Sequence, residues 1–414
     1  MSSAFSIALS ALQADSDAIN ITGNNLANLN TTGFKGSSVH FEDLMSEYMG
    51  GQASGGIGMG VAAPLAEQVF SQGSLQSSAV PLATAIQGSG FFVLKNANGQ
   101  QEFTRDGGFT LDANGVLQTQ TGENVQGWMA TNGVVNSSGA PTNLVFPSGT
   151  ILPPTATTNV GATINLDATT ATGQSWSTPI QVVDSLGNTH TLTLNFTKSA
   201  ANKWSYDVTI PGSDLSSNPS GNVSVLSAPG TFTFNSDGTL AASTTSPVAI
   251  SVTGLADGAS DMSINWNVLN SDGTGTITQY DQTSSLASPT QDGLQAAQLS
   301  QITIANGGQI MATYSNGQQV VAGQLALASI NNPGSLLNVG NNNFTLSGQT
   351  ATPAIGLPQS GGRGQIVGGS VEGSNVDMGA EFTNLIVYQS SYGANSKVIT
   401  TANMMSQDLL NLIQ

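Results

Sequence analysis

The sequence predicts a mixed, mainly β protein. Long N- and C-terminal α-helices with coiled-coil-like seams flank two β-rich domains, the second inserted into the first. Three observations carry this. Large apolar residues recur every seventh position at both ends of the chain. Alternating β-branched runs broken by Gly and Asx-Gly turns fill the middle. Two Pro-containing stretches, "FPSGTILPPT" at 146–155 and "SLASPTQDG" at 285–293, divide that middle.

The first helix rests on Phe5, Leu12, Ile19 and Leu26, flanked by Ala4, Ala11 and Ala18. A strict heptad marks a narrow seam rather than a broad globular face. Ser2 or Ser3 can cap its start. Gly23 weakens the last turn by about 1 kcal/mol, and the helix is expected to end near Leu29. The stretch "NNLANLNTTGFKG" at 24–36 then reads as an elbow. Asn24, Asn25 and Asn28 carry side chains that bond to nearby backbone. Gly33 or Gly36 can take a positive φ, Phe34 anchors the bend by packing, and Lys35 is the first basic residue of the chain. Residues 31–70 form a connecting segment, with the Gly-rich "GGIGMG" at 55–60 as a mobile loop.

Strands follow in "SGFFVL" at 89–94, "FTLDANGVLQT" at 109–119, "TFTFNSDGTL" at 231–240 and "MSINWNVL" at 262–269. Asn114-Gly115 and Asp237-Gly238 are hairpin signals. Residues 71–145 with 289–368 are expected to form one discontinuous β domain, and 146–288 the inserted one. The last element is a helix of about 38 residues, on the order of 57 Å long. Met378, Leu385, Tyr392, Ile399 and Ile413 share one heptad position, with Ser406 as a polar gap; Phe382 and Leu410 share a second. Ser374-Asn375-Val376-Asp377 fits a capping box. Residues 1–30 with 374–414 thus form a terminal helical assembly domain. Lying side by side, the two helices must be antiparallel. Two helices alone cannot cover both seams, so the remaining apolar area must meet further copies of the chain or stay disordered.

Composition narrows the function. Seven Lys and Arg against 24 Asp and Glu give a net charge of −17. That balance argues against nucleic acid, which needs a basic face, and against an anionic membrane surface. Charged residues are only 7 % of the chain, so like-charge repulsion between copies is weak. Cysteine is absent, which removes disulfides, thiolate nucleophiles and thiolate metal sites. The N-terminus lacks a basic, continuously apolar leader and reads as no conventional cleaved signal. No apolar run is long enough to span a membrane.

The catalytic inventory is thin. His40 and His190 are the only imidazoles. His190 follows "DSLGN" at 184–188 and could be drawn into a triad with Asp184, but no G-x-S-x-G elbow accompanies it. Both histidines read as surface or hairpin residues. Asp112-Ala113-Asn114-Gly115 opens like a calcium loop but lacks the later Gly and distal Glu, so it reads as a turn. No Walker lysine or dinucleotide fingerprint occurs. Neither cofactor nor metal nor catalytic residue is expected. An extracellular β-rich carbohydrate-active enzyme is the competing class, held back by the want of a converging polar site.

Three stretches resemble the bacterial flagellar rod and hook axial family. "NNLANLNTTGFKGSSVHFEDL" is similar to its N-terminal signature, "GSGFFVL" with "FTRDGGFTLDANGVLQTQTGENVQGW" to its central β motif, and "VEGSNVDMGAEFTNLIVYQSSYGANSKVITTANMM" to its C-terminal helix. With the flanking β regions they cover most of 1–145 and 289–414. The large insert sides with the hook members; a distal rod or related axial protein is the alternative. The resemblance implies a structural subunit that assembles with itself into a flexible helical tube. Such a tube is a universal joint passing torque from rod to filament. It further implies contacts with the distal rod, hook cap, hook–filament junction protein and flagellar type III export apparatus. It places the protein outside the cell, in the flagellum, exported without a cleaved signal. The elbow then turns the chain from an inner helical layer toward the β domains. Gln389-Ser390-Ser391-Tyr392 departs from the family's usual Gln-Arg before the Tyr.

Overall fold

The computed structural model describes residues 2–44, 59–241 and 244–412, with side chains over 5–44, 59–241 and 244–408. The chain divides into two compact units, 1–148 with 300–313 and 319–414, and 149–299 with 314–318. It is mainly β, with one long helix at each end.

In the first unit, helix α1 (Ser2–Ala27) and helix α2 (Met378–Leu412) pack together. Asn25 meets Glu381 and Asp15 meets Asn395, so the two run antiparallel. Helix α1 stops two residues before Leu29, where Asn28 turns its amide onto the Asn24 carbonyl and Thr31 Oγ1 onto the Asn28 side chain. Helix α2 is 35 residues long, about 52 Å. Its cap is Asp377, not Ser374: Asp377 Oδ1 accepts from the amides of Gly379 and Ala380 at 2.7 and 3.1 Å. The Ser374 hydroxyl instead takes the Val376 amide, and Asn375 is spent on other segments.

The chain enters and leaves the β body of this unit through two short ladders. Leu75–Ser77 pairs with Ser370–Glu372, and Thr84–Gln87 with Gln365–Gly368, both antiparallel. The body is built on Phe91–Lys95. It pairs with Gln101–Thr104, Asn124–Thr131 and Leu327–Ser329. Phe91, Phe103, Trp128 and Phe344 close its core, and Phe70 sits edge-on to Phe91 and Phe344 with ring centroids 5.5 and 5.2 Å away. Asn114-Gly115 is a turn as its residues suggest. Asp112 Oδ1 accepts the amides of Asn114 and Val116, and Gly115 has φ 79°.

The second unit is two sheets sharing one core. Ser175–Val183, Thr189–Ala200, Lys203–Pro211 and Asn222–Ser224 lie in order in one sheet; Val248–Val252, Met262–Asn267, Asn159–Asn165 and Ile277–Thr278 do so in the other. Alternation of buried and open positions along Met262–Asn267 and Thr189–Ala200 aims Phe196, Ile264 and Trp266 inward, where Trp204 of Lys203–Pro211 joins them. "SLASPTQDG" is not simply a break. Ser285–Gln291 forms a strand along Asn159–Asn165, with Pro289 opposite Ala162. It pairs on one side only, where a strand tolerates proline's missing N–H.

Candidate assembly site: the terminal helices and the elbow

The helix pair covers a different face from the one the large residues suggest. In α1 the buried residues are Ala8, Ala14, Asp15, Ala18, Thr22 and Asn25. Small side chains let backbones approach closely, and Asp15 and Asn25 fix the alignment. Asn395 Nδ2 donates to Asp15 Oδ2 at 3.0 Å, and Asn25 Nδ2 to Glu381 Oε1 at 2.9 Å. Of the predicted seam, Leu12, Ile19 and Leu26 are half-buried and Phe5 is 45 % exposed. In α2, Leu385 and Ile399 are half-buried, while Met378, Phe382 and Tyr392 are exposed. Leu410's side chain and Ile413 lie outside the described residues, as do 55–58 of the Gly-rich loop. From Met378 to Asp408 no residue of α2 is buried. Ile386, Val387, Val398, Met404 and Met405 are exposed as well.

The elbow is locked rather than loose. Asn25 spans it, donating to the Ser37 carbonyl at 2.8 Å and accepting the Ser37 amide at 3.0 Å. Gly33 has φ 67°, donates its amide to the Glu372 carbonyl at 2.8 Å, and would put a Cβ 2.5 Å from the Asp106 backbone nitrogen. Gly33→Ala therefore forces both a left-handed residue and a backbone clash. The expected loss is about 2–4 kcal/mol, read as a lower denaturant midpoint for the first unit. Phe34 is buried.

Lys35 is the centre of the lock. It is 1 % exposed, and its Nζ donates to Glu372 Oε1 at 2.7 Å and to the Ser71 carbonyl at 2.7 Å. Arg105, 4 % exposed, reaches Glu372 Oε2 at 3.3 Å and the Gly88 carbonyl at 2.8 Å. The Gly73 amide also donates to Glu372 Oε1, at 2.9 Å. Burial draws the pKa values of Lys35 and Arg105 down, and the Glu372 charge only partly restores them. Asn375 completes the lock: its Oδ1 accepts the Gly36 amide and its Nδ2 donates to the Val69 carbonyl. One carboxylate thus joins the outgoing elbow, the central β motif and the returning strand. Sequence reading named Lys35 but missed Glu372, Arg105 and Asn375. The available signal was scarcity: with seven basic residues in 414, a lysine next to the packing residue Phe34 needs an acid.

The histidines differ from one another. His40 is exposed beside Glu67 and Ser38. His190 does lie at the end of a hairpin turn, but it is buried rather than on the surface.

Four family models match the chain: Flagella basal body rod protein over 5–35, Flagellar hook protein FlgE/F/G D1 domain over 85–173, Flagellar basal body protein FlaE D2 domain over 149–294, and Flagellar basal body rod FlgEFG protein C-terminal over 367–412. Paired terminal helices tied back to β domains by these segments define an axial structural protein of the bacterial flagellum. The flagellar hook protein FlgE of Treponema pallidum (strain Nichols) is 32 % identical over 454 residues, covering 98 % of each chain. Those of Borreliella burgdorferi and Escherichia coli (strain K12) are each 30 % identical, covering 98 % and 99 % of this chain and 98 % and 100 % of theirs. The chain belongs to the flagellar hook protein family, and its role is that of a structural hook subunit. No helix among the described residues is long and apolar enough to cross a membrane.

Proposed function

We propose that the chain assembles with itself into a flexible helical tube, with α1 and α2 as a coiled-coil-like inner layer and the β domains outside it. The observation that carries this is α2, 35 residues long with no buried residue over 378–408. Its half-exposed Met378, Phe382 and Tyr392 each hold back roughly 1 kcal/mol of burial, available only from a neighbour. The assembly residues are the seam already named: Phe5, Leu12, Ile19 and Leu26 with Met378, Phe382, Leu385, Tyr392, Ile399, Leu410 and Ile413. The elbow sets the direction in which the helix pair leaves the β body. Residues 1–30 with 374–414 then assemble, 31–70 connect, 71–145 with 289–368 form the discontinuous β domain, and 146–288 is inserted into it. An uncharged polar surface gives shallow contacts that can slide as such a tube bends, the action of a universal joint between rod and filament. Rod, cap, junction protein and the type III export apparatus are the partners that go with this role, outside the cell and without a cleaved signal.

Leu12→Asp or Ile399→Asp tests the reading. Each puts an unpaired carboxylate into a packed seam at a cost of several kcal/mol per subunit. Electron micrographs under polymerising conditions should show tubes from the parent and none from either variant, while circular dichroism of the β units is unchanged. Normal tubes from both variants would refute it.

A further inference from the structure

His190 stands among three carboxylates of the second unit. Asp184 comes from the turn between Ser175–Val183 and Thr189–Ala200, Asp214 from the 3-10 turn Gly212–Asp214, and Asp257 from the connection between Val248–Val252 and Met262–Asn267. The first two follow strands of one sheet; the third joins strands of the other. His190 Nδ1 is 3.1 Å from Asp214 Oδ2, and Nε2 is 3.1 Å from Asp184 Oδ2 and 3.5 Å from Asp257 Oδ2. A neutral imidazole owns one N–H. In that form one ring nitrogen would aim its lone pair at carboxylate oxygens. Only the doubly protonated ring donates on both sides. Among the described residues no lysine or arginine pairs with any of the three acids. The uncharged side chains at these acids are Asn188, whose Nδ2 donates to Asp257 Oδ2 at 2.9 Å and lies 3.4 Å from Asp184 Oδ2, and Ser213, whose Oγ donates to Asp214 Oδ1 at 3.2 Å.

We propose that His190 is held as an imidazolium that staples the two sheets of this unit together, so that the unit is firm while the ring carries both protons and slackens when one leaves. The staple takes the place that a cross-sheet disulfide cannot fill in a chain without cysteine. Backbone bonds reinforce the same corner: the Ser216 amide donates to Gly254 and the Ala256 amide to Asp214.

The direction of pH dependence follows. Burial alone would lower the ring's pKa, but Asp214 and Asp184 more than reverse it, and the net displacement is upward. Burial likewise opposes ionisation of Asp184, yet hydrogen bonds from His190 and from the Asn188 and Leu186 amides bring its pKa to about 2. The histidine's contribution is complete below the unfolded value of about 6.5 and is lost as pH rises through the folded midpoint. That of Asp184 is complete above about 3.9 and fades toward acid.

Ring-15N-histidine NMR on the full-length monomer separates the two rings. His190 should show both nitrogens protonated at neutral pH and a titration midpoint above the roughly 6.5 of an unfolded histidine. Thermal unfolding of the parent against His190→Gln should differ below that midpoint and converge above it. If His190→Gln does not fold, Asp257→Asn keeps the ring and should lower its midpoint. A His190 midpoint at or below about 6.5, a difference from His190→Gln that is constant with pH, or a midpoint unmoved by Asp257→Asn each overturns the proposal. So does one equivalent of Zn2+ displacing the Nε2 proton at neutral pH, which would make the bridging cation a metal.

Discussion

Glu372→Ala is expected to destabilise the first unit far more than Lys35→Met, although the two residues form one ion pair. The lock holds two cations and one anion, all buried. Removing Lys35 leaves Glu372 with Arg105 and the Gly73 amide, a neutral and still bonded pair. Removing Glu372 leaves Lys35 and Arg105 as buried positive charges with no counter-charge in the lock. Breaking a buried pair in that way costs about 3–5 kcal/mol, enough to threaten a domain of ordinary stability. Denaturant melts of the monomer would measure both. Equal losses from the two substitutions would show that the charge count is not what matters. The same site has an alkaline signature. Because burial lowers the Lys35 pKa, the unfolded chain binds more protons between the folded value and about 10.4. Stability should therefore rise with pH across that window in the parent, relative to Lys35→Met.

In a verified monomer, the amides of α2 should exchange close to the rate of an unstructured peptide, and in the polymer at least about a thousandfold more slowly. Ordering each residue costs about 1–2 kcal/mol of backbone entropy. A helix with no buried residue over 378–408 has little tertiary packing to offset it. The elbow should behave oppositely. Gly33, Lys35 and Gly36 are bonded to Glu372 and Asn375, so protection is expected from about Gly33 onward even in the monomer. Limited proteolysis should likewise trim the helices and stop near Gly33 on one side and before Asp377 on the other. Strong protection of α2 in the monomer would contradict folding coupled to assembly.

Much of this was legible in the sequence, and the failures have physical causes. The terminal helices showed because a seven-residue period needs no tertiary information. The turn at Asn114-Gly115 showed because only certain residues tolerate its backbone. Which helix face is covered did not show. Phe5 and Leu12 advertise eventual burial by size but do not say which molecule supplies it, whereas Ala14 and Ala18 are silent in size and mark the nearest contact. Glu372 could not be matched to Lys35, 337 residues away, by any spacing rule. His190 read as a hairpin residue because its turn is local, while two of its three acids arrive from later turns. The helix cap moved from Ser374 to Asp377 because Asn375 is drawn off to tie down Gly36, a demand that exists only once both ends of the chain are folded.

The two ladders through which the chain enters and leaves its first β body have a mechanical consequence. Leu75–Ser77 with Ser370–Glu372, and Thr84–Gln87 with Gln365–Gly368, make the neck double: two covalent strands run side by side between helices and body. A sideways load arriving at the body is shared by both strands instead of hanging on one. Losing a rung of the ladder reduces its stiffness without severing the connection. A load that reverses direction across this neck is thereby met by two strands rather than one.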